Sequence, residues 1–187
     1  APAARFDWRS RFSDKVASQA QYQYNGDTKT GAAWRLVVRP YLISRAPEIE
    51  EILRSIEGNE DTGATVMDLI TRGLTIPASR IHELAGDLWG FLLLVLQGDA
   101  RIWINNTQSL EGFDVWRKLM KTVRSRSEIR RHELLTQLRR PATAAKLSET
   151  LMALEKWDRT LREYIEAGGQ PLPYEERRAA ILEILPS

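Results

Sequence analysis

The chain has 187 residues, a formal net charge of +2, 43% hydrophobic residues and 28% charged residues. This composition is typical of a folded globular protein and argues against an intrinsically disordered one. Because there is no cysteine, disulfides, cysteine-liganded zinc sites and cysteine nucleophiles are excluded within this segment. The longest apolar run, Leu88 to Leu96, is about half as long as a bilayer span. We therefore predict no membrane contact and no cofactor.

The first stretch, residues 1–20, is basic and contains the aromatic residues Phe6, Trp8 and Phe12 between arginines. Three interpretations are open for it. It is a short amphipathic helix docked on the domain, an arm that packs on a neighbouring subunit, or an arm that stacks on single-stranded nucleic acid.

Apolar side chains recur at steps of three and four residues through most of the chain, which predicts helices. Turn residues such as those from Tyr24 to Gly31 separate these helices. Pro40 is expected to kink or split the helix that contains it, and Ser79 is a candidate N-cap. Up to residue 123, the predicted helices cover residues 32–44, 47–57, 66–70, 80–96, 99–105 and 113–123.

Ser125 or Ser127 is predicted to cap a separate helix that ends before Pro141. The stretch from Ala142 to Leu185 then predicts an antiparallel pair of amphipathic helices with a glycine turn between them. No alternating strand pattern is present, so the expected fold is all-α with roughly nine or ten helices. The apolar stripe of the first helix in this pair consists of Leu147, Leu151, Leu154, Trp157, Leu161 and Tyr164.

Candidate catalytic groups are few. The run from Asp61 to Ala64 spells the loop of a retroviral-type aspartic protease, whose chemistry needs two carboxylates that share a proton. A polar turn is the simpler interpretation, because Gly58, Asn59 and Glu60 stand where that protease needs an apolar strand. His82 and His132 lie in different predicted helices without partners at ligand spacing. We expect no enzyme, no metal site and no small-molecule substrate.

Positive charge is concentrated in the segment from Arg117 to Arg140. Its only acidic residues are Glu128 and Glu133. Two interpretations are open: a solvated helical face, or a surface that binds nucleic-acid phosphates without reading sequence. The candidate nucleic-acid-binding residues are Arg117, Lys118, Lys121, Arg124, Arg126, Arg130, Arg131, Arg139 and Arg140.

Three motifs occur in an order that is similar to the Gag capsid region of Copia-type (Pseudoviridae-like) LTR retrotransposons. The opening is "YQYNGDTKTGAAWRLVVRPYLI", a glycine turn before a tryptophan helix. The middle is "LQGDARIWINN", followed by "GFDVWRKLMKTV" and a basic segment. The end is "LSETLMALEKWDRTLREYIEAGGQPLPYEERRAAILEILP", a long helix, a glycine turn and a second helix.

The resemblance implies an all-α, two-lobed capsid-like helical bundle, with an N-terminal arm at 1–20, an N-terminal capsid-like domain at 21–125 and a C-terminal one at 126–187. It implies self-assembly through hexamers and pentamers into a cytoplasmic virus-like particle that encloses the element's RNA. RNA contact is expected to be non-specific. The candidate subunit-interface residues are Phe6, Trp8, Phe12, Leu151, Trp157, Tyr164 and Tyr174.

Two other functions remain alternatives to the capsid. One is an all-α adaptor or nucleic-acid-binding module that stays monomeric or dimeric, including a Gag domesticated by its host. The other is the protease that the Asp61 loop suggests. Large homogeneous particles distinguish the capsid from the adaptor, and the helical content distinguishes either from a β-rich protease.

Overall fold

A computed structural model describes residues 11–186 of the chain. This range contains nine α-helices, three short 3₁₀ helices and no strand, so the all-α prediction is confirmed. The α-helices are α1 Asp14–Ala17, α2 Gly31–Arg45, α3 Ile49–Glu57, α4 Val66–Thr71, α5 Ala78–Val95, α6 Ile102–Asn105, α7 Gly112–Arg139, α8 Thr150–Glu166 and α9 Tyr174–Ile184. The 3₁₀ helices are Ala20–Tyr22, Gly98–Arg101 and Leu147–Glu149.

The chain divides between Arg124 and Ser125 into two compact units, called here the N-terminal and C-terminal units. The helix α7 runs without a break across this division. The prediction of two helices separated by a cap at Ser125 or Ser127 is therefore wrong. No glycine or proline interrupts this stretch, and a serine inside a helix costs only about 0.5 kcal/mol relative to alanine. A residue that is able to cap a helix does not by itself end one.

The core of the N-terminal unit forms around α5, whose buried residues lie on nearly every side of the helix. Aromatic rings join the neighbouring elements to this core. Tyr24 stacks on Trp34 of α2 at 5.1 Å, and Trp34 contacts Trp116 of α7 at 5.9 Å between ring centroids. Such a helix, apolar around most of its circumference, is stable only when other elements cover it.

The structure bears on two predictions about helix boundaries. Of the two effects predicted for Pro40, splitting of the helix is excluded, because α2 continues to Arg45. Proline has no N–H to donate to the carbonyl of Leu36, and it lies on the solvent side of α2, where water can satisfy that oxygen. Ser79 is not an N-cap, because α5 begins one residue earlier, directly after Pro77.

The segment before α2 is fixed to the end of α5 by an isolated parallel bridge between Tyr24 and Leu96. The Tyr24 amide donates to the Val95 carbonyl, and the Gln97 amide donates to the Tyr24 carbonyl, both at 2.8 Å. This pairing orders the extended chain that leads into α2.

The C-terminal unit packs α8 and α9 on each other and on the end of α7, as the predicted helical pair requires. Gly168 ends α8 with a φ of +83°, a conformation that favours glycine. The next residue, Gly169, lies so close to the ring of Tyr164 that a Cβ atom there would overlap it. The buried residues of this core are Leu134, Leu138, Trp157, Tyr164, Leu172, Ala180 and Ile184.

Candidate nucleic-acid and subunit-contact surfaces

All candidate nucleic-acid-binding residues up to Arg139 lie on α7, and the first two serve a buried carboxylate. Asp114 is buried, and its side chain contacts Arg117 Nε at 2.8 Å and Lys118 Nζ at 2.9 Å. Burial raises the pKa of Asp114, but the hydrogen bonds and charges of Lys118 and Arg117 outweigh it and hold the pKa below its usual value. Arg117 and Lys118 therefore neutralise the buried carboxylate of Asp114.

The next cations hold the loop between α3 and α4. Arg117 Nη1 donates to the Glu60 carbonyl at 2.9 Å, and Lys121 Nζ lies 2.6 Å from the Asp61 carboxylate. Arg124 Nη2 lies 2.8 Å from Oε2 of the buried Glu60 carboxylate, an ion pair without well-aligned hydrogen-bond geometry. The hydrogen bond from Lys121 lowers the pKa of Asp61.

Two arginines of the basic segment fasten α7 to the other helices of the C-terminal unit. Arg130 Nη2 lies 2.8 Å from Glu163 on α8, and Arg139 Nε lies 2.9 Å from Glu176 on α9. Six of the nine candidate cations thus have a carboxylate partner. Within residues 11–186, the guanidinium groups of Arg131 and Arg140 make no hydrogen bond or ion pair, so they are the cations best placed for a phosphate.

The candidate subunit-interface residues separate into three groups. Phe12, Trp157 and Tyr164 are buried inside their own units. Their apolar spacing is explained by packing within these cores, and their contact with a neighbouring subunit stays a prediction that this burial does not favour. Leu151 and Tyr174 are 69% and 67% exposed and are available for contact. Phe6 and Trp8 lie outside the described residues.

The structure also exposes large apolar side chains that the sequence interpretation did not single out as contact residues. Leu36 on α2 is 71% exposed, although Trp34 and Val38 of the same helix are buried. Two residues along a helix turn the side chain by about 200°, so the spacing from Trp34 already places Leu36 on the opposite side. The other members of this group that are more than half exposed are Met67, Ile102, Ile129, Leu147, Met152 and Leu182.

A second acidic group, Glu111, was not recognised from the sequence. Its carboxylate accepts a hydrogen bond at 2.8 Å from the amide of Val66, the first residue of α4. Burial raises its pKa, the hydrogen bond from Val66 lowers it, and the nearby charge of Asp114 raises it. A charged group in the loop before α7 thus helps to cap α4, and only the tertiary structure brings the two together.

The Asp61 loop connects two helices, with α3 before it and α4 after it. Asp61 points into solvent beside Lys121, and Arg72 donates hydrogen bonds to the carbonyls of Thr62 and Gly63. This geometry is that of a structural turn. Across residues 11–186, the acidic and histidine side chains form no cluster of three or more that is suited to a metal ion. No helix in that range is long and apolar enough to span a bilayer.

Comparisons of the chain with protein-family models, with curated proteins and with solved structures found no match.

Proposed function

We propose that this chain is a structural protein of the Gag capsid type, similar to that of Copia-type retrotransposons, and that it assembles into a cytoplasmic shell. The observation that supports the proposal most directly is the exposure of large apolar side chains on both units. Leu36 and Met67 belong to the N-terminal unit, and Leu147 and Leu151 belong to the C-terminal unit. Single exposed apolar residues are normal on a monomer, whereas adjacent ones such as Leu36 with Val37 and Leu151 with Met152 form patches of the kind that bind a partner.

Shell assembly needs several modest contacts per subunit. Covering one exposed leucine stabilises a contact by about 1.5–3 kcal/mol before the cost of association is subtracted. A single patch of this kind forms a weak dimer, whereas patches on both units let each subunit bind several neighbours. The division into two compact units supports this proposal, because a two-lobed capsid protein uses one lobe for rings and the other for contacts between rings.

The proposed cargo is RNA, bound without sequence specificity. Most cations of α7 already face carboxylates, so each phosphate that binds them competes with an existing ion pair. RNA contact by this surface is therefore weak and strongly dependent on salt. Arg131 and Arg140 are its most effective members, since they release no carboxylate when they bind.

The test is to purify the full chain and to measure its mass against concentration by size-exclusion chromatography with light scattering, with and without added RNA. Negative-stain electron microscopy is then applied to the heaviest fraction. Closed particles of uniform size, in the megadalton range, are the expected result. A monomer or dimer at every concentration and salt condition contradicts the capsid and favours the adaptor.

A further inference from the structure

The outer side of α2 is a continuous apolar surface in contact with solvent. Its exposed residues between 32 and 40 are Ala32, Ala33, Leu36, Val37 and Pro40. We call these five residues the α2 stripe. It contains no charged residue, although 28% of the whole chain is charged. A solvent-facing helix surface is normally polar, so the composition of the α2 stripe requires an explanation.

The two arginines that flank the α2 stripe do not change its character. Arg35 Nη2 lies 2.7 Å from the Glu57 carboxylate, and Arg39 Nε lies 3.2 Å from it. The same carboxylate accepts a hydrogen bond from the indole of Trp116 at 3.4 Å. Both guanidinium groups turn toward the single carboxylate of this α3 residue, so the one net positive charge of the cluster lies beside the α2 stripe and not on it.

An open cleft of about 940 Å³ runs beside the α2 stripe. Ala33 and Val37 form its wall on the α2 side, Leu94 of α5 contributes a further apolar surface, and the Gln21 and Gln97 side chains also line it. The α2 stripe therefore combines a protruding ridge, formed by Leu36, with a recess directly next to it.

We propose that the α2 stripe binds the α2 stripe of a second copy of this chain, in an antiparallel pair related by a twofold axis near Leu36 and Val37. The charge distribution favours this occupant. In an antiparallel twofold contact the residues at the axis meet their own counterparts, so a charge near Leu36 or Val37 would meet a like charge. A face without charge avoids this cost, whereas a face for a different protein has no such restriction.

Residue size along the α2 stripe fits the same arrangement. In the antiparallel pair, the small residues Ala32 and Ala33 of one copy lie opposite the Pro40 end of the other. Leu36 lies beside Val37 of its partner and next to the partner's cleft. Small residues opposite large ones allow two helices to approach closely and to interdigitate.

The size of the α2 stripe sets the strength of the contact. Nine residues of helix are about 13 Å long and about 10 Å wide. This face of on the order of 130 Å² is far smaller than the roughly 800 Å² per partner that a stable interface buries. The contact is therefore weak by itself and depends on protein concentration. Its role as one of several contacts in a shell rests on the function proposed above.

The test uses the absence of cysteine from the chain. In Leu36→Cys the single thiol lies close to its symmetry mate, and a short bismaleimide crosslinker joins the two copies. The matched control is Ser109→Cys, because Ser109 is also exposed but is polar and lies in the loop before α7. We expect at least about tenfold more crosslinked dimer from Leu36→Cys, a difference of about 1.4 kcal/mol in association. Equal yields from the two variants overturn the proposal.

A second pair of variants tests the contact without a crosslinking reaction. Leu36→Lys places like charges on the twofold axis and is expected to lower self-association at least about tenfold. Ser109→Lys is the control and leaves self-association unchanged. If Leu36→Lys self-associates as strongly as the control, the α2 stripe is not the contact.

Electron microscopy of the unmodified chain separates this inference from the capsid proposal. Uniform particles together with equal crosslinking of the two cysteine variants support the capsid and overturn the α2 contact. Specific crosslinking of Leu36→Cys without particles supports the α2 contact and contradicts the capsid.

Discussion

The indole Nε1 of Trp157 donates a hydrogen bond of 3.0 Å to the carbonyl oxygen of Leu138. This bond joins the middle of α8 to the last turn of α7, where helix carbonyls have no partner within their own helix. The ring of Trp157 also belongs to the small core of the C-terminal unit. The Trp157 side chain thus fills part of the core and also donates a hydrogen bond to the C-terminal end of α7.

Trp157→Ala is expected to destabilise the C-terminal unit by about 3 kcal/mol, because it removes a large buried ring and leaves a carbonyl without its donor. Thermal unfolding followed by circular dichroism measures the effect. Leu151→Ala is the control on the same helix, and the exposure of Leu151 predicts a change within about 0.5 kcal/mol. Equal melting of the two variants shows that Trp157 is not a core residue.

Arg11 and Asp87 form a buried ion pair between the N-terminal segment and α5. Arg11 also donates to Glu83 at 2.9 Å. We expect Arg11→Ala to destabilise the N-terminal unit by about 3 kcal/mol, since the carboxylate of Asp87 stays buried while its guanidinium partner is lost. Urea denaturation gives the change in free energy.

The control for Arg11 is Arg54→Ala, which removes an exposed ion pair with Glu50 one turn away on α3. A surface pair of this kind contributes about 0.5 kcal/mol. If the two variants lose the same stability, burial of Asp87 does not determine the energy of its pair.

Glu111→Gln is expected to stabilise the chain at neutral pH and to change its pH dependence. Burial raises the pKa of Glu111 in the folded state, so the folded chain keeps this proton at pH values where the unfolded chain has lost it. Its contribution to stability is complete below the unfolded pKa and is lost as the pH rises through the folded pKa. Glutamine has no proton to lose, and its side-chain oxygen still accepts the hydrogen bond from Val66.

Melting temperatures of the wild-type chain and Glu111→Gln, measured from about pH 4 to neutral, test this expectation. The difference between them should grow in favour of the variant as the pH rises. Asp114 contributes the opposite trend, because its lowered pKa adds stability that is lost at acidic pH, but this contribution is common to both proteins. A variant that is progressively less stable at higher pH contradicts the prediction.

Replacing Arg131 and Arg140 together with glutamine should weaken RNA binding without unfolding the chain. Losing two phosphate contacts lowers the slope of log affinity against log salt by about 1.4 for single-stranded RNA. Fluorescence anisotropy at several salt concentrations measures that slope. The control is Arg162→Gln on α8, whose guanidinium is exposed and pairs with Asp158. An unchanged slope in the double variant excludes these arginines as phosphate contacts.

Helices whose signals are local were predictable from the sequence. The pair α8 and α9 is an example, because Gly168 and Pro173 mark its turn and the spacing around Trp157 marks its buried side. The continuous α7 was missed, since Ser125 is compatible with a helix interior as well as with a cap. The burial of Phe12 was missed for another reason: α5 and Tyr41, which cover its ring, are distant in sequence.

The candidate surfaces show the same limit. The sequence identifies the cations of α7 but not the carboxylates of Glu60 and Glu163 that neutralise Arg124 and Arg130. Pairing between residues that are far apart in sequence depends on the fold. The exposed α2 stripe could have been predicted from the sequence, because the angle between Trp34 and Leu36 on a helical wheel separates buried from exposed positions.

The middle of α7, residues 124–133, contains no buried side chain. Backbone hydrogen bonds and side-chain ion pairs such as Arg130–Glu163 therefore maintain this stretch without core packing, and we expect it to open at a lower free energy than the packed turns on either side. It is also rich in arginine, so limited digestion with trypsin should cut here first. The two fragments released would each retain a hydrophobic core, which makes this helix the natural place to separate the units for study.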